Sequence, residues 1–228
     1  HRRQRQMCIR DRFNNDGTKL FLLTSNQIRE YSISTGFDTT SSNVSVTTST
    51  SLSSQDSTMT GVAFNNDGTK MFTVGAGNDK VYEYALSTAF DVSSSSLSFT
   101  DSLSISSQEQ IPTEIRFNLD GTKMYITGNE GRDINEYTLS TAFDISSTVT
   151  HKGSYSLVSS DSYPTGFSFN NDGTKLFTTG ANFDRVNEHS LTTPFSLVDV
   201  SGEHSGDVIN TSNTCLLYTS PSPRDSMT

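Results

Sequence analysis

The stretch Phe13–Lys19 reads FNNDGTK, recurs unchanged at Phe64–Lys70 and Phe169–Lys175, and returns as FNLDGTK at Phe117–Lys123. Four copies of a catalytic motif would mean four sites, whereas four copies of a turn mean four copies of one structural unit. The residue types favour the turn. Gly has no Cβ to clash at positive φ, and Asn and Asp tolerate the left-handed region, so Asn-Asp-Gly suits a tight β-hairpin. A calcium loop of the EF-hand type needs oxygen ligands at alternate positions through about twelve residues, but NNDGTK runs straight into a strand pattern. The motif aspartates Asp16, Asp67, Asp120 and Asp172 are 51, 53 and 52 residues apart, and a fixed period near fifty marks a repeat architecture.

Within each unit the apolar residues alternate with period two, the signature of strands. MTGVAFN, PTEIRFN and PTGFSFN supply a first strand in which Val62 and Phe64, Ile115 and Phe117, and Phe167 and Phe169 point one way. TKMFTVG, TKMYITG and TKLFTTG follow the turn as a second strand, and KVYEYAL, DINEYTL and RVNEHSL form a third. A Ser/Thr-rich fourth strand is expected to keep strict alternation through Leu97, Phe99, Leu103 and Ile105, and through Val149, Tyr155 and Leu157. Four antiparallel strands at this period form a blade whose faces are buried only when neighbours stack around an axis, so the expected fold is an all-β β-propeller. A β-solenoid usually repeats at shorter periods, and a string of sandwiches needs roughly twice the residues per unit.

The pattern F-x-x-D-G-T-K-[LM]-[FY] resembles the YVTN-type and related bacterial propeller repeats. Its companion [VI]-x-E-Y-x-L-S-T-A-F-D resembles repeats of environmental bacterial and phage-like proteins. This resemblance covers residues 13–214 and implies a propeller without implying an activity, because propellers host many functions. The units are expected at 13–57, 58–110, 111–162 and 163–214, as about four blades forming an open arc of a larger ring, with blade 1 lacking its first strand. The strings HRRQRQMCIRDR (1–12) and CLLYTSPSPRDSMT (215–228) resemble translated sequencing-adapter read-through, such as ends open reading frames in metagenomic fragments. A basic arm and a disordered Pro/Ser tail are the other readings of these two strings.

Both cysteines, Cys8 and Cys215, lie in the terminal strings. So do six of the 16 basic and two of the 25 acidic residues, leaving 10 against 23 and a net charge of −13 for the repeats. Such a surface repels phosphate backbones, which argues against nucleic acid as a partner and leaves cations, sugars and basic protein patches. No apolar run approaches the roughly 18 residues of a spanning helix, so no membrane insertion is expected.

Glu30, Glu83, Glu136 and Glu188 recur in the third strand and Lys19, Lys70, Lys123 and Lys175 in the second. Their placement predicts a cross-strand Lys–Glu contact within each blade rather than a ring of carboxylates at the axis. His1, His151, His189 and His204 form no metal-spaced pair, and His189 replaces the Tyr found at Tyr31, Tyr84 and Tyr137. No GxSxG elbow, CxxC pair or phosphate-binding Gly loop occurs. No cofactor is therefore expected, with a divalent cation such as calcium left open.

Variation between units is more informative. NNDG and LSTAFD emerge at one end of the ring and stay nearly constant, while TSNQ, GAGNDK, GNEGRD and GANFDR at the other end differ from blade to blade. Loops that vary on a repeated scaffold are where binding usually resides. The candidate ligand-binding residues are Asn78, Asp79, Glu130, Arg132, Asp133, Asn182 and Asp184.

Two functions fit. One is a non-catalytic binding or structural propeller of a secreted, cell-surface or virion-surface protein, with a protein or glycan surface as partner. The other is a hydrolase or lactonase-type propeller with an axial site. The second needs acids, Asn or His beside strand one; between the apolar residues there stand Gly61 and Ala63, Glu114 and Arg116, and Gly166 and Ser168, so Glu114 is the one acid, with Arg116 expected to neutralise it.

Overall fold

The computed structural model describes residues 10–183, 185–198 and 209–210, so Asp184 lies outside the described residues. Its strands form four antiparallel sheets of four, each with its strands in chain order. Blade 1 comprises β1 (Arg10–Phe13), β2 (Lys19–Leu23), β3 (Gln27–Ile33) and β4 (Val44–Ser51). Blade 2 comprises β5 (Met59–Phe64), β6 (Lys70–Gly75), β7 (Lys80–Leu86) and β8 (Leu97–Ser104). Blade 3 comprises β9 (Pro112–Phe117), β10 (Lys123–Gly128), β11 (Asp133–Leu139) and β12 (Val149–Ser156). Blade 4 comprises β13 (Pro164–Phe169), β14 (Lys175–Gly180), β15 (Arg185–Ser190) and β16 (Ile209–Asn210). The chain is an all-β, four-bladed propeller, and the described residues include no helix. Blade 1 has four strands like the rest, where the sequence reading has its first strand missing: Arg10–Phe13 pairs with Leu20–Leu23 across β2.

The seven-residue motif closes each first hairpin. In blade 2 the Asp67 carboxylate accepts the Thr69 backbone N–H at 2.9 Å and its hydroxyl at 2.6 Å, Asn65 Oδ1 accepts the Lys70 N–H at 2.9 Å, and Gly68 sits at φ 72°. These donors, the Thr hydroxyl first, hold the Asp67 carboxyl below the usual carboxylate range. A Cβ on Gly68 would overlap the Phe90 ring, because the loop between β7 and β8 folds back so that Phe90 N–H donates to the Gly68 carbonyl at 2.9 Å.

The core lies between blades, in three slabs. Phe21, Leu23 and Ile28 of blade 1 meet Val62, Met71 and Tyr84 of blade 2; Phe72, Val74 and Val81 meet Ile115, Met124 and Tyr137; Tyr125 and Ile134 meet Phe167, Leu176 and Leu191. A sheet with apolar residues on both faces is stable only when flanked, which is why the fold requires the repeat. The outer strand departs from strict alternation. Glu83 pairs with Asp101 and Tyr84 with Phe99, leaving Thr100 as a bulge, and this extra residue sends Leu97 to the slab before blade 2 and Leu103 to the slab after it. Phe99, beside the bulge, is exposed and lies edge-on to Tyr84 at 6.0 Å.

Candidate functional site

Three places concentrate polar chemistry: the Lys–Glu series, the strands near the axis, and the loop end that varies. The expected cross-strand pairs are present in every blade, with Nζ to Oε1 distances of 2.8, 2.7, 2.8 and 2.7 Å for Lys19–Glu30, Lys70–Glu83, Lys123–Glu136 and Lys175–Glu188. They do more than join two strands. Lys19, Lys70 and Lys123 also donate to the carbonyls of Phe90, Phe143 and Phe195 in the following blade at 2.6, 2.8 and 2.8 Å. The second oxygens of Glu30, Glu83 and Glu136 accept the N–H groups of Val92, Ile145 and Leu197 in that blade at 3.1, 2.9 and 2.7 Å. The first three pairs are thus clamps from one blade to the next, and their glutamates are buried. The third motif residue adds a further link: Asn15 Nδ2 donates to the Asn66 carbonyl and Asn66 Nδ2 to the Leu119 carbonyl, both at 2.7 Å.

Near the axis, Glu114 on β9 is buried and its carboxylate is paired with the guanidinium of Arg12 on β1, two blades away. The intervening position is Gly61, where a Cβ would press on the Glu114 backbone. Arg12 pairs with Glu114, and Arg116 lies close enough to Asp11 to favour its ionised form. Burial, the largest influence, nonetheless pushes the Asp11 carboxyl above its usual value, and the Glu114 charge adds to that rise. Residues 10–12 thus supply most of a strand and one member of an ion pair.

At the varying end, one buried acid organises each of the blades 2 to 4. Asp56 accepts the N–H groups of Thr58 and Asn78 at 2.7 and 2.9 Å; Glu109 accepts those of Ile111, Glu130 and Gly131 at 2.7, 3.0 and 3.0 Å. Asp161 accepts those of Tyr163 and Phe183 at 2.8 and 3.1 Å. The glycines that end β6, β10 and β14 leave room for these carboxylates. Sequence reading passed over the three acids because the connections around them differ, although one acid stands at nearly the same place in each.

The seven candidate residues divide accordingly. Asn78 Nδ2 donates to the Gln55 carbonyl at 2.9 Å, Asp133 accepts Asn135 Nδ2 at 2.9 Å, and Asn182 Nδ2 donates to Ser162 Oγ at 2.9 Å. Burial pushes the half-buried Asp133 carboxyl up. Asp79 and Arg132 occupy left-handed turn positions at φ 52° and 54°, with carbonyls that accept the Ile105 and Leu157 N–H groups. Glu130 and Arg132 are exposed. Asp184 lies outside the described residues.

The same end also displays apolar side chains absent from that set: Ile111, Val158, Tyr163 and Phe183 are 46, 52, 55 and 48% exposed. Tyr163 and Phe183 sit on two loops of blade 4 joined through Asp161 and by Ala181 N–H donating to the Tyr163 carbonyl at 2.9 Å. Arg185 lies 4.6 Å from the Phe183 ring centroid and donates to the Ser160 carbonyl at 3.1 Å. The signal was available in the change from Thr58 to Ile111 to Tyr163 at one loop position. His189, by contrast, is buried, with its ring nitrogens 3.0 Å from Tyr155 Oη and 3.1 Å from Thr178 Oγ1. Among the described residues, no group of three or more His, Cys, Asp or Glu is placed to hold a metal ion.

No family profile and no curated protein sequence matches the chain. Solved structures do match it. A protein of unknown function from Desulfotomaculum acetoxidans is 13% identical with a TM-score of 0.54, over 90% of this chain and 56% of that one. A Bacteroides fragilis protein provisionally assigned as a 6-phosphogluconolactonase is 13% identical with a TM-score of 0.56, over 92% and 57%. The periplasmic gluconolactonase PpgL of Pseudomonas aeruginosa is 12% identical with a TM-score of 0.53, over 89% and 54%. The chain thus spans a little over half the length of these structures, and at such identities the likeness is one of fold.

Proposed function

We propose that the chain is a recognition module that binds a glycan or protein surface through its varying end, as part of a secreted, cell-surface or virion-surface protein. The observation that carries this reading is the grouping of exposed Tyr163 and Phe183 beside Asn182 and Arg185 on loops held by the buried Asp161. Aromatic faces and amide groups side by side suit the apolar faces and hydroxyls of sugars, and Tyr, Phe and Arg are also enriched at protein interfaces. Pre-formed loops limit the ordering cost of binding.

The test is an array of neutral and acidic oligosaccharides, run beside capture of surface proteins, with the wild type and a Tyr163→Ala/Phe183→Ala double variant. Binding should fall at least about tenfold, as for truncation of an aromatic anchor, with thermal stability unchanged. Equal binding by the double variant would overturn the reading.

A second reading, a lactonase-type hydrolase, draws on the charged group Asp11, Arg12, Glu114 and Arg116 near the axis. Its test is proton release from gluconolactone and its 6-phosphate, with Glu114→Gln as the variant that should be inactive.

A further inference from the structure

The two loops that carry Tyr163 and Phe183 are bridged by a hydroxyl and an amide. Asn182 Nδ2 donates to Ser162 Oγ at 2.9 Å, and each member stands one residue before an exposed ring, Ser162 before Tyr163 and Asn182 before Phe183. A single carboxylate sets the backbone on both sides. Asp161, 2% exposed, accepts the N–H groups of Tyr163, Phe183 and Asn182 at 2.8, 3.1 and 3.4 Å. The bridge and its flanking residues are therefore held in place before any ligand arrives, which limits the ordering cost of binding.

The bridge leaves a donor and an acceptor side by side. A serine hydroxyl that accepts the amide N–H still has its own O–H to give, and the amide still has its carbonyl oxygen; no bond to another described residue uses either. Turning the amide over exchanges the roles and keeps the count: the hydroxyl then donates to Asn182 Oδ1 and retains a lone pair, and Nδ2 retains its N–H groups. In blade 2 the loop amide is committed instead, because Asn78 Nδ2 donates to the Gln55 carbonyl and to Tyr82 Oη at 2.9 and 3.2 Å, and blade 3 has Gly131 at that place. The exposure of the rings belongs to the loops and not to the position of blade 4 in the chain. Thr58 and Ile111 stand where Tyr163 does, and Asn78 and Gly131 where Phe183 does; all four are exposed although blades 2 and 3 each have a blade on either side.

A donor beside an acceptor matches two adjacent hydroxyls of a sugar ring, each of which gives one hydrogen bond and takes another. Aromatic rings alongside suit the C–H face of such a ring. The repeats hold 10 basic against 23 acidic residues, a net of −13 that disfavours acidic sugars, and Arg185 already donates to the Ser160 carbonyl. We propose that the Ser162–Asn182 bridge is a diol-binding subsite for a neutral sugar, with Tyr163 and Phe183 covering the C–H face beside the bound hydroxyls. This rests on the recognition reading and narrows its ligand to a neutral carbohydrate.

The experiment titrates the full chain with methyl β-D-galactoside, methyl β-D-glucoside and methyl α-D-mannoside to about 50 mM, followed by amide chemical shifts, which detects a Kd in the millimolar range. At least one should bind, and N-acetylneuraminate should bind more weakly than that one. The glycoside that binds most tightly is then compared with its monodeoxy analogues, on wild type and on Asn182→Ala. Removing a paired hydroxyl, or making Asn182→Ala, should each weaken binding about three- to tenfold. The two losses together should cost no more than either alone, the coupling that marks a direct contact. Circular dichroism and the thermal midpoint should match wild type, since the Asn182 side chain is exposed and the Asp161 bonds use backbone N–H groups. Binding of none of the three glycosides overturns the proposal, as do deoxy losses that simply add to that of Asn182→Ala, or N-acetylneuraminate binding as tightly as the neutral sugar. The recognition reading fails by a different result, when Tyr163→Ala/Phe183→Ala leaves sugar binding and protein capture unchanged. Protein capture that needs the two rings, with no glycoside bound, overturns the diol subsite and leaves that reading standing.

Discussion

Replacing Glu83 by Ala tests whether the repeated carboxylates bind blades together rather than decorate them. Glu83 is 4% exposed and carries two loads: Oε1 lies 2.7 Å from Lys70 Nζ in its own blade, and Oε2 accepts the Ile145 N–H at 2.9 Å from the next. Removing one member of a buried pair usually costs about 3–5 kcal/mol because the other charge is left behind. Lys70 is 31% exposed and keeps the Phe143 carbonyl at 2.8 Å, so part of its charge remains solvated and the expected loss falls to about 2–4 kcal/mol. For a chain of this size about 3 kcal/mol lowers the thermal midpoint by about 6–12 °C. Glu83→Gln retains an acceptor for one of the two donors and should lose less. Glu130→Ala, at an exposed loop position, should stay within about 0.5 kcal/mol of wild type. The assay is thermal unfolding followed by far-ultraviolet circular dichroism and calorimetry. Equal losses for Glu83→Ala and Glu130→Ala would refute the reasoning, since the contact would then be an ordinary surface pair.

Two further outcomes are expected. Leu119, 60% exposed, stands where Asn15 and Asn66 reach the next blade, so Leu119→Asn should donate to the Asn171 carbonyl and raise stability by about 0.5–1.5 kcal/mol in denaturant titration. Stability should also fall in acid: hydrogen bonds from Thr or Ser donors and backbone N–H groups hold Asp16, Asp67, Asp91, Asp120 and Asp144 below 3.8, so the folded state binds fewer protons, and stability present above pH 3.8 is lost below it as the pH falls through the lowered values of the folded state. Asp11 and Asp133, raised by burial, act in the opposite sense but are outnumbered. Midpoints measured across that range, with Asp67→Asn and Asp120→Asn flattening the fall, provide the check.

The hairpins and their number were legible in the sequence, because Asn-Asp-Gly-Thr specifies its turn through contacts within a few residues: Asp67 accepts from Thr69, and the Asn65 side chain reaches Thr69 and Lys70. The period-two pattern likewise announced the strands of each blade. The same letters also hold parts whose partners lie about 51 to 73 residues away, namely Asn15 on Asn66, Glu30 on Val92 and Lys70 on Phe143, and no local pattern reveals those. Cross-strand neighbours made the Lys–Glu pairs legible; their reach into the next blade was settled only by stacking. The bulge at Thr100 was hidden for a related reason, since an unpaired residue is defined by its partner strand and leaves the alternation of its own strand looking intact. Near the axis, Glu114 found Arg12 two blades away across the space that Gly61 leaves empty, a distance in sequence over which only the stacking of blades 1 to 3 decides who meets whom.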